Sequence, residues 1–209
     1  LAKVSRERIQ VELTKLLCSD HPEKIREVYE TGISKYISPA FARLPWRDFQ
    51  ARKELGTEKY VRWASFLCLA GPERAAEVLK DLKLDNDTIS KVRTLAAWAG
   101  REVRPEAAAV RRIMSGMAPE VWDALMELNG YGEEIKRLTE EIRARGDCLG
   151  LKQLAIDGRD LIAAGMQPGK ELGQLLQKLL ETVLECPQKN EKEILLAEAK
   201  NSNLLQSRQ

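Results

Sequence analysis

The chain has 209 residues, which is enough for one large domain or two small ones. It carries 34 basic and 32 acidic residues, so its formal net charge of +2 excludes a polycation and confines any nucleic-acid-binding surface to a local patch. It contains no apolar run long enough to cross a bilayer, and its four dispersed cysteines and one histidine form no zinc-ligand spacing. We therefore predict a cytoplasmic protein with no metal site and no membrane partner.

Apolar residues recur at helical spacing along most of the chain, which predicts an all-α fold built as an elongated array of helical hairpins. The first predicted helix begins after Ser5, a good N-cap residue. After a turn-rich stretch at 39–56, a nearly apolar helix capped by Thr57 is expected at the centre of the core. Further helices are expected to open at Gly71-Pro72, at Asn86 or Asp87, at Pro105, at Pro119 and at Glu133.

A glycine-containing boundary is predicted at 146–150, before a block with its own organisation. In this block a short helix begins at Asp157 or Gly158, and a long leucine-rich helix begins around Gly169. Each helix N-terminus is expected to present unpaired amides and the positive end of its dipole, and Lys170 adds a charge beside the second. The block is competent to bind phosphate, but a plain αα-hairpin explains the same glycines and leucines.

A basic stretch lies at residues 88–117, where six basic residues accompany two acidic ones and the local charge is +4. Such a patch would attract phosphates through counterion release. A solvated surface whose charges point in several directions explains the pattern equally well. The basic residues of the stretch are Lys91, Arg93, Arg101, Arg104, Arg111 and Arg112.

The sequence indicates no catalytic centre. Its carboxylates lie beside lysines and arginines at helical spacing, which is typical of ion-paired surfaces, and we identify no aspartate pair for two-metal nucleotidyl transfer. The single histidine, His21, precedes a proline at a helix start, where a structural role is expected. We therefore predict no catalytic residue in this chain.

Residues 154–187, LAIDGRDLIAAGMQPGKELGQLLQKLLETVLECP, are similar to the tail segment of bacterial tRNA nucleotidyltransferases, the CCA-adding enzymes and their poly(A) polymerase relatives. Residues 5–17, SRERIQVELTKLL, resemble the end of the neck of that family. Residues 21–41, HPEKIREVYETGISKYISPAF, resemble the step from neck to body. Two further segments resemble body helices, VRWASFLCLAG at 61–71 and LKDLKLDNDTISKV at 79–92.

The resemblance implies the end of a neck at residues 1–18, a helical RNA-binding body at 19–148 and a helical tail at 149–209. It also implies that a catalytic head with a metal-binding DxD pair is absent, and a start without methionine suggests a piece of a longer protein. The whole enzyme would add CCA, or part of it, to tRNA 3′ ends from CTP and ATP with magnesium. This piece would hold the acceptor stem and elbow of tRNA, bind no cofactor and be inactive alone.

Two sets of residues are predicted to serve that role, and one alternative stays open. The alternative is a helical protein-interaction or oligomerisation module without RNA binding, suggested by leucine-rich terminal helices and the small net charge; homo-oligomerisation is left open in either case. The resemblance implies support of the nucleotide site by Arg6, Glu7, Arg8 and Glu12. Physical reasoning predicts RNA contacts at Arg93, Arg111 and Arg112 in the body and at Lys152, Arg159, Gly169 and Lys170 in the tail.

Overall fold

The structure is a computed structural model that describes residues 4–202, and every regular element between those residues is helical. This confirms the all-α prediction for that part of the chain. None of its helices is both long and apolar enough to span a membrane. The chain forms two compact units, one made of Leu1–Glu102 with Pro119–Tyr131 and the other of Val103–Ala118 with Gly132–Gln209. The three-part division predicted from the sequence concerns roles along the chain and stays a prediction.

The first unit contains eight of the described α-helices and three short 3₁₀ turns. Its helices are α1 (Arg6–Leu17), α2 (Ile25–Glu30), α3 (Ser34–Ile37), α4 (Pro39–Ala42), α5 (Lys59–Leu67), α6 (Pro72–Asp81), α7 (Asn86–Trp98) and, after the excursion of the chain into the second unit, α9 (Pro119–Asn129). The 3₁₀ turns are Pro22–Lys24, Trp46–Asp48 and Cys68–Ala70.

Side chains cap the starts of α1, α4 and α7 in the first unit. The Ser5 hydroxyl accepts from the Arg8 amide at 3.3 Å, as predicted. The predicted caps of α5 and α7 are wrong: Glu58 rather than Thr57 precedes α5, and Asp85 rather than Asn86 or Asp87 caps α7. Asp85 is the N-cap residue because its carboxylate accepts a hydrogen bond from the Thr88 amide at 2.8 Å.

Helix α5 lies in the core of the first unit, as its apolar sequence predicts, but it also buries a cation. Arg62 is 7% exposed and donates to the carbonyls of Arg52 at 2.7 Å and Leu55 at 2.8 Å. Those carbonyls belong to the irregular segment between the 3₁₀ turn at Trp46–Asp48 and α5, where no helix supplies backbone hydrogen bonds. The buried guanidinium therefore replaces backbone pairing for the stretch that the sequence marks as turn-rich.

An aromatic stack fixes α4 and the turn after it against α2. The Tyr29 ring lies between Phe41 and Trp46, with centroids 5.1 and 5.2 Å away and interplanar angles of 18° and 14°. The Tyr29 hydroxyl donates to the Phe41 carbonyl at 3.0 Å, and burial raises the pKa of this phenol. Three short elements are thereby held by one buried side chain.

The second unit contains the other five described α-helices. Its helices are α8 (Ala107–Ser115), α10 (Glu133–Arg145), α11 (Gly158–Ala163), α12 (Lys170–Glu185) and α13 (Lys192–Asn201), with 3₁₀ turns at Leu151–Gln153 and Pro187–Lys189. Helix α8 starts two residues later than the predicted opening at Pro105, with Glu106 at its N-cap position. Gly146 ends α10 in the left-handed conformation, with a φ of 66°.

The apolar face of α12 lies inside its own unit. Leu175, Leu179, Leu180, Val183 and Leu184 are at most 5% exposed and pack with residues of α11 and α13. The leucine-rich surface that suggested an oligomerisation module is therefore already covered.

Candidate nucleic-acid interface

The start of α11 is already occupied by a side chain. Asp157 Oδ1 accepts from the amides of Arg159 at 2.8 Å and Asp160 at 3.1 Å, and Asp160 Oδ2 accepts from the Asp157 amide at 3.0 Å. This reciprocal capping box satisfies the amides that a phosphate would need. The prediction of an open N-terminus here is wrong, because it overlooked the capping capacity of the Asp-x-x-Asp spacing.

Arg159 is committed to the same carboxylate. Its Nε and Nη2 donate to Asp157 Oδ2 at 3.0 and 2.8 Å, and these bonds lower the pKa of Asp157. The Arg159 side chain nevertheless stays 93% exposed. A phosphate approaching it must compete with a bidentate ion pair, so Arg159 is a weaker candidate contact than its exposure suggests.

The start of α12 is open, in contrast to that of α11. Gly169 precedes this 16-residue helix with a φ of 157° and offers no side chain to its first amides. Lys170 is the first helical residue and is exposed, and among the described residues it has no carboxylate partner. Free amides, a positive dipole end and a lysine therefore coincide where the sequence predicts phosphate binding.

The glycine before Arg159 has a packing role. A Cβ at Gly158 would lie 3.1 Å from Leu172 Cδ2, so glycine permits α11 to begin close against α12. Lys192 at the start of α13 pairs with Asp160 at 2.6 Å. The starts of α11 and α13 are thus fixed to one another through charged side chains.

Lys152 lies in the 3₁₀ turn before α11. Its side chain is exposed, and no ion pair of it occurs in the part of the chain that the structure describes. The turn itself is anchored by Asn190, whose side chain accepts from the Ala155 amide at 2.8 Å and donates to the Gln153 carbonyl at 3.0 Å. Lys152 is therefore a free cation on an ordered turn.

The predicted basic stretch at 88–117 is not a patch of either unit. The chain passes from the first unit to the second after Glu102, so Lys91, Arg93 and Arg101 belong to one unit and the remaining basic residues to the other. Within the first unit, Arg93 pairs with Glu73 at 2.7 Å. Lys91 pairs with Asp87 at 2.9 Å and with Glu120 at 3.1 Å. Lys91 and Arg93 are therefore neutralised by carboxylates, whereas Arg101 and Arg104 are exposed and form no ion pair in the described residues.

Arg111 and Arg112 are neighbours with opposite environments. The Arg111 side chain is 5% exposed and pairs with the equally buried Asp147 at 3.1 Å. Arg112 is about half exposed and pairs with Glu181 and Glu185 on α12. The burial of Arg111 argues against a phosphate contact and assigns it a structural task, so we omit it from the proposed RNA surface.

The residues predicted to support the nucleotide site all lie on α1. Glu7 is near Lys83 at 3.7 Å, and Glu12 pairs with Lys15 at 2.9 Å. Arg8 and Glu12 lie at the edge of an apolar groove of about 320 Å³ between α1 and the following helices. Arg6 is half-buried, and one of its Nη atoms has no hydrogen-bond partner. Their supporting role stays a prediction.

One pair of aspartates does have the D-x-D spacing, contrary to our sequence interpretation. Asp85 caps α7 and accepts from Lys59 at 2.6 Å, which lowers the pKa of its carboxyl. Asp87 pairs with Lys91. In residues 4–202, no group of three or more side chains of the His, Cys, Asp and Glu types is placed to hold a metal ion. The carboxylates of Asp85 and Asp87 are instead bound by the helix cap and by lysines.

Sequence reasoning missed a run of cations in the first unit. Residues 31–47 contain three basic residues and no aspartate or glutamate, a signal that was present in the sequence. Lys35, Arg43 and Arg47 are exposed, and none forms an ion pair in the described structure. They differ in this respect from Arg93, Arg112 and Arg159.

Two family models match the chain. The model described as "tRNA nucleotidyltransferase domain 2 putative" matches residues 56–199. The model described as "Probable RNA and SrmB- binding site of polymerase A" matches residues 1–44. The two matches together span most of the described helices.

Curated relatives and one solved structure agree with these matches. The CCA-adding enzyme of Levilactobacillus brevis is 30% identical over 208 residues, covering 94% of this chain and 51% of that protein. The CCA-adding enzyme of Bacillus cereus is 25% identical over 221 residues, covering 98% and 53%. The chain thus spans about half the length of these relatives. A solved structure described as "The complex structure of CCA-adding enzyme with ATP" has a TM-score of 0.56 at 22% identity, covering 99% of this chain and 52% of that one, and shows the fold.

Proposed function

Because this chain belongs to the tRNA nucleotidyltransferase domain 2 family, we propose that it is the RNA-holding portion of a tRNA nucleotidyltransferase. In this proposal it binds the acceptor stem and elbow of tRNA in the cytoplasm. A head domain outside the present sequence adds CCA, or part of it, to the tRNA 3′ end. Magnesium, CTP and ATP serve the whole enzyme at that head, and in this chain only the supporting residues Arg6, Glu7, Arg8 and Glu12 are assigned to the nucleotide site.

The family match over residues 56–199 carries the proposal, and the second unit suggests where phosphate would bind. The start of α12 offers amides without a side-chain cap beside the unpaired Lys170, and Lys152 provides a second unpaired cation in the same unit. These groups would bind the phosphates of the RNA backbone rather than its bases. Backbone contacts suit a protein that must accept every tRNA, because they carry no sequence information.

Charge reversal at Lys170 tests whether a tRNA phosphate binds at the start of α12. We expect Lys170→Glu to weaken tRNA binding about tenfold and to reduce the slope of log K against log salt by about 1, because one phosphate contact is lost. The measurement is a filter-binding titration at several salt concentrations. Lys178→Glu is the matched control, since it makes the same charge change in the interior of the same helix, away from its open N-terminus.

We expect Lys178→Glu to change the tRNA affinity by less than about twofold. Equal losses in both variants would show that only net charge matters and would remove α12 from the proposed interface. Thermal unfolding of both variants checks that neither change disturbs the fold, which is expected because both side chains are exposed.

The alternative of a protein-interaction module has lost its main support. It rested on the leucines of α12 and on the small net charge of the chain. Leu175, Leu179, Leu180 and Leu184 are buried, and Leu172 and Leu176 are partly buried against the same core, so only the small net charge still favours this alternative.

A further inference from the structure

Helices α3 and α4 present a short exposed strip whose most prominent member is an aromatic ring. The strip consists of Lys35, Tyr36 and Pro39, which are the exposed residues of these two helices, and of Arg43, the exposed residue directly after α4. Tyr36 is 72% exposed, the largest value among the exposed large apolar side chains of the described chain. The Tyr36 side chain forms no hydrogen bond or ring contact in residues 4–202, so both faces of its ring are open to a partner.

The cations of the strip are free of carboxylates. Arg43 Nε donates to the Pro39 carbonyl at 3.0 Å, which leaves both of its Nη groups without a described partner. The Lys35 ammonium group forms no ion pair or hydrogen bond in the described residues. The adjoining Arg47 places its guanidinium carbon 4.9 Å from the centroid of the Trp46 ring. With no acidic residue between positions 31 and 47, this surface favours a polyanion over an ordinary protein partner.

The strip is fixed in position from beneath. Ser34, Ile37 and Phe41 are buried. The Ser38 hydroxyl caps α4 by accepting from the Phe41 amide at 3.0 Å, and the stacked Tyr29 holds α4 from the interior. The exposed ring of Tyr36 therefore projects from a packed support, so a partner that binds it does not have to order the backbone beneath it.

We propose that Tyr36 stacks on an unpaired base of RNA, while Lys35 and Arg43 contact the phosphates on either side of that base. The proposal rests on the proposed RNA-binding function and adds a contact with a single-stranded nucleotide in the first unit. Every base has a π-face, so a tyrosine beside cations binds single strands with little sequence preference. Paired bases in an A-form duplex cannot offer that face.

The test compares single-stranded with double-stranded RNA, using the full chain. The single-stranded probe is an oligonucleotide on the order of ten nucleotides with a central 2-aminopurine, whose fluorescence is quenched on stacking. The second probe is a fully paired RNA duplex with the same number of phosphates. The variants are Tyr36→Ala and Tyr36→Phe. Leu69→Ala is the control, because it removes another strongly exposed apolar side chain from the same unit.

We expect Tyr36→Ala to weaken binding of the single strand about 5- to 100-fold and to abolish the fluorescence change, since one base–aromatic stack is lost. Tyr36→Phe keeps the ring and should stay within about twofold of the parent, as should Leu69→Ala. Duplex binding should be unchanged in all three variants.

An unchanged single-strand affinity in Tyr36→Ala would overturn the inference, and so would an equal loss on both probes. A loss of self-association without a change in RNA binding would identify the strip as a protein contact instead. If the unsubstituted chain binds tRNA and Lys170→Glu weakens that binding as predicted, while Tyr36→Ala leaves single-strand binding unchanged, only this inference fails. If the parent binds neither tRNA nor the oligonucleotide, the proposed function fails with it.

Discussion

Replacing Arg111 by alanine is expected to lower the free energy of unfolding by about 3 kcal/mol. Its guanidinium donates to the carbonyls of Leu184 at 2.6 Å and Glu185 at 3.0 Å, as well as to the buried Asp147. The two carbonyls belong to the last turn of α12, where helical partners are missing and a cation is favourable. The loss falls at the lower end of the range for a broken buried ion pair, because Arg145 still contacts Asp147 at 3.0 Å.

The control for Arg111 is the next residue along the chain. Arg112→Ala removes a half-exposed arginine whose partners Glu181 and Glu185 are also exposed, so we expect a change of less than about 1 kcal/mol. Urea unfolding followed by circular dichroism measures both variants. Similar losses in the two variants, or a loss below about 1 kcal/mol in Arg111→Ala, would contradict the structural role of Arg111.

Truncation of Trp63 to alanine is expected to lower the free energy of unfolding by about 3–5 kcal/mol. The side chain is fully buried on α5 and lies 6.3 Å from the Phe66 ring, centroid to centroid. Its indole Nε1 donates to the Thr14 hydroxyl of α1 at 3.0 Å. The variant therefore combines a cavity in the core of the first unit with a weaker attachment of α1.

Trp63→Phe separates the two contributions. It keeps an aromatic ring but removes the hydrogen bond and part of the volume, so we expect a loss of about 1–2 kcal/mol. Hydrogen exchange of the α1 amides, followed by mass spectrometry, should accelerate in both variants. If α1 exchanged at the parent rate in Trp63→Ala, the bond to Thr14 would not be what holds α1 to α5.

Local sequence signals were sufficient for most of the helices. The bounds of α10 were predicted correctly because Glu133 follows a glycine and Gly146 supplies the left-handed residue that ends the helix. The caps of α5 and α7 were misplaced by one or two residues, because several neighbouring polar residues can each occupy a cap position and only the backbone geometry decides between them.

The candidate site was less predictable, because ion pairing depends on tertiary neighbours. Nothing along the chain indicates that Arg111 meets Asp147 or that Arg93 meets Glu73. The open start of α12 could be predicted, since a glycine at the N-cap position has no side chain with which to cap the first amides. Tyr36 was missed, although the absence of acidic residues around it was visible in the sequence.

The central claim, that this chain binds tRNA, is tested most directly by titrating the full chain with tRNA at increasing salt. We expect the association constant for tRNA to exceed that for duplex DNA with the same number of phosphates. Its logarithm should fall linearly with the logarithm of the salt concentration, with a slope of about −2 or steeper. Binding at about 50 mM salt that is no tighter than that of a neutral protein would contradict the account.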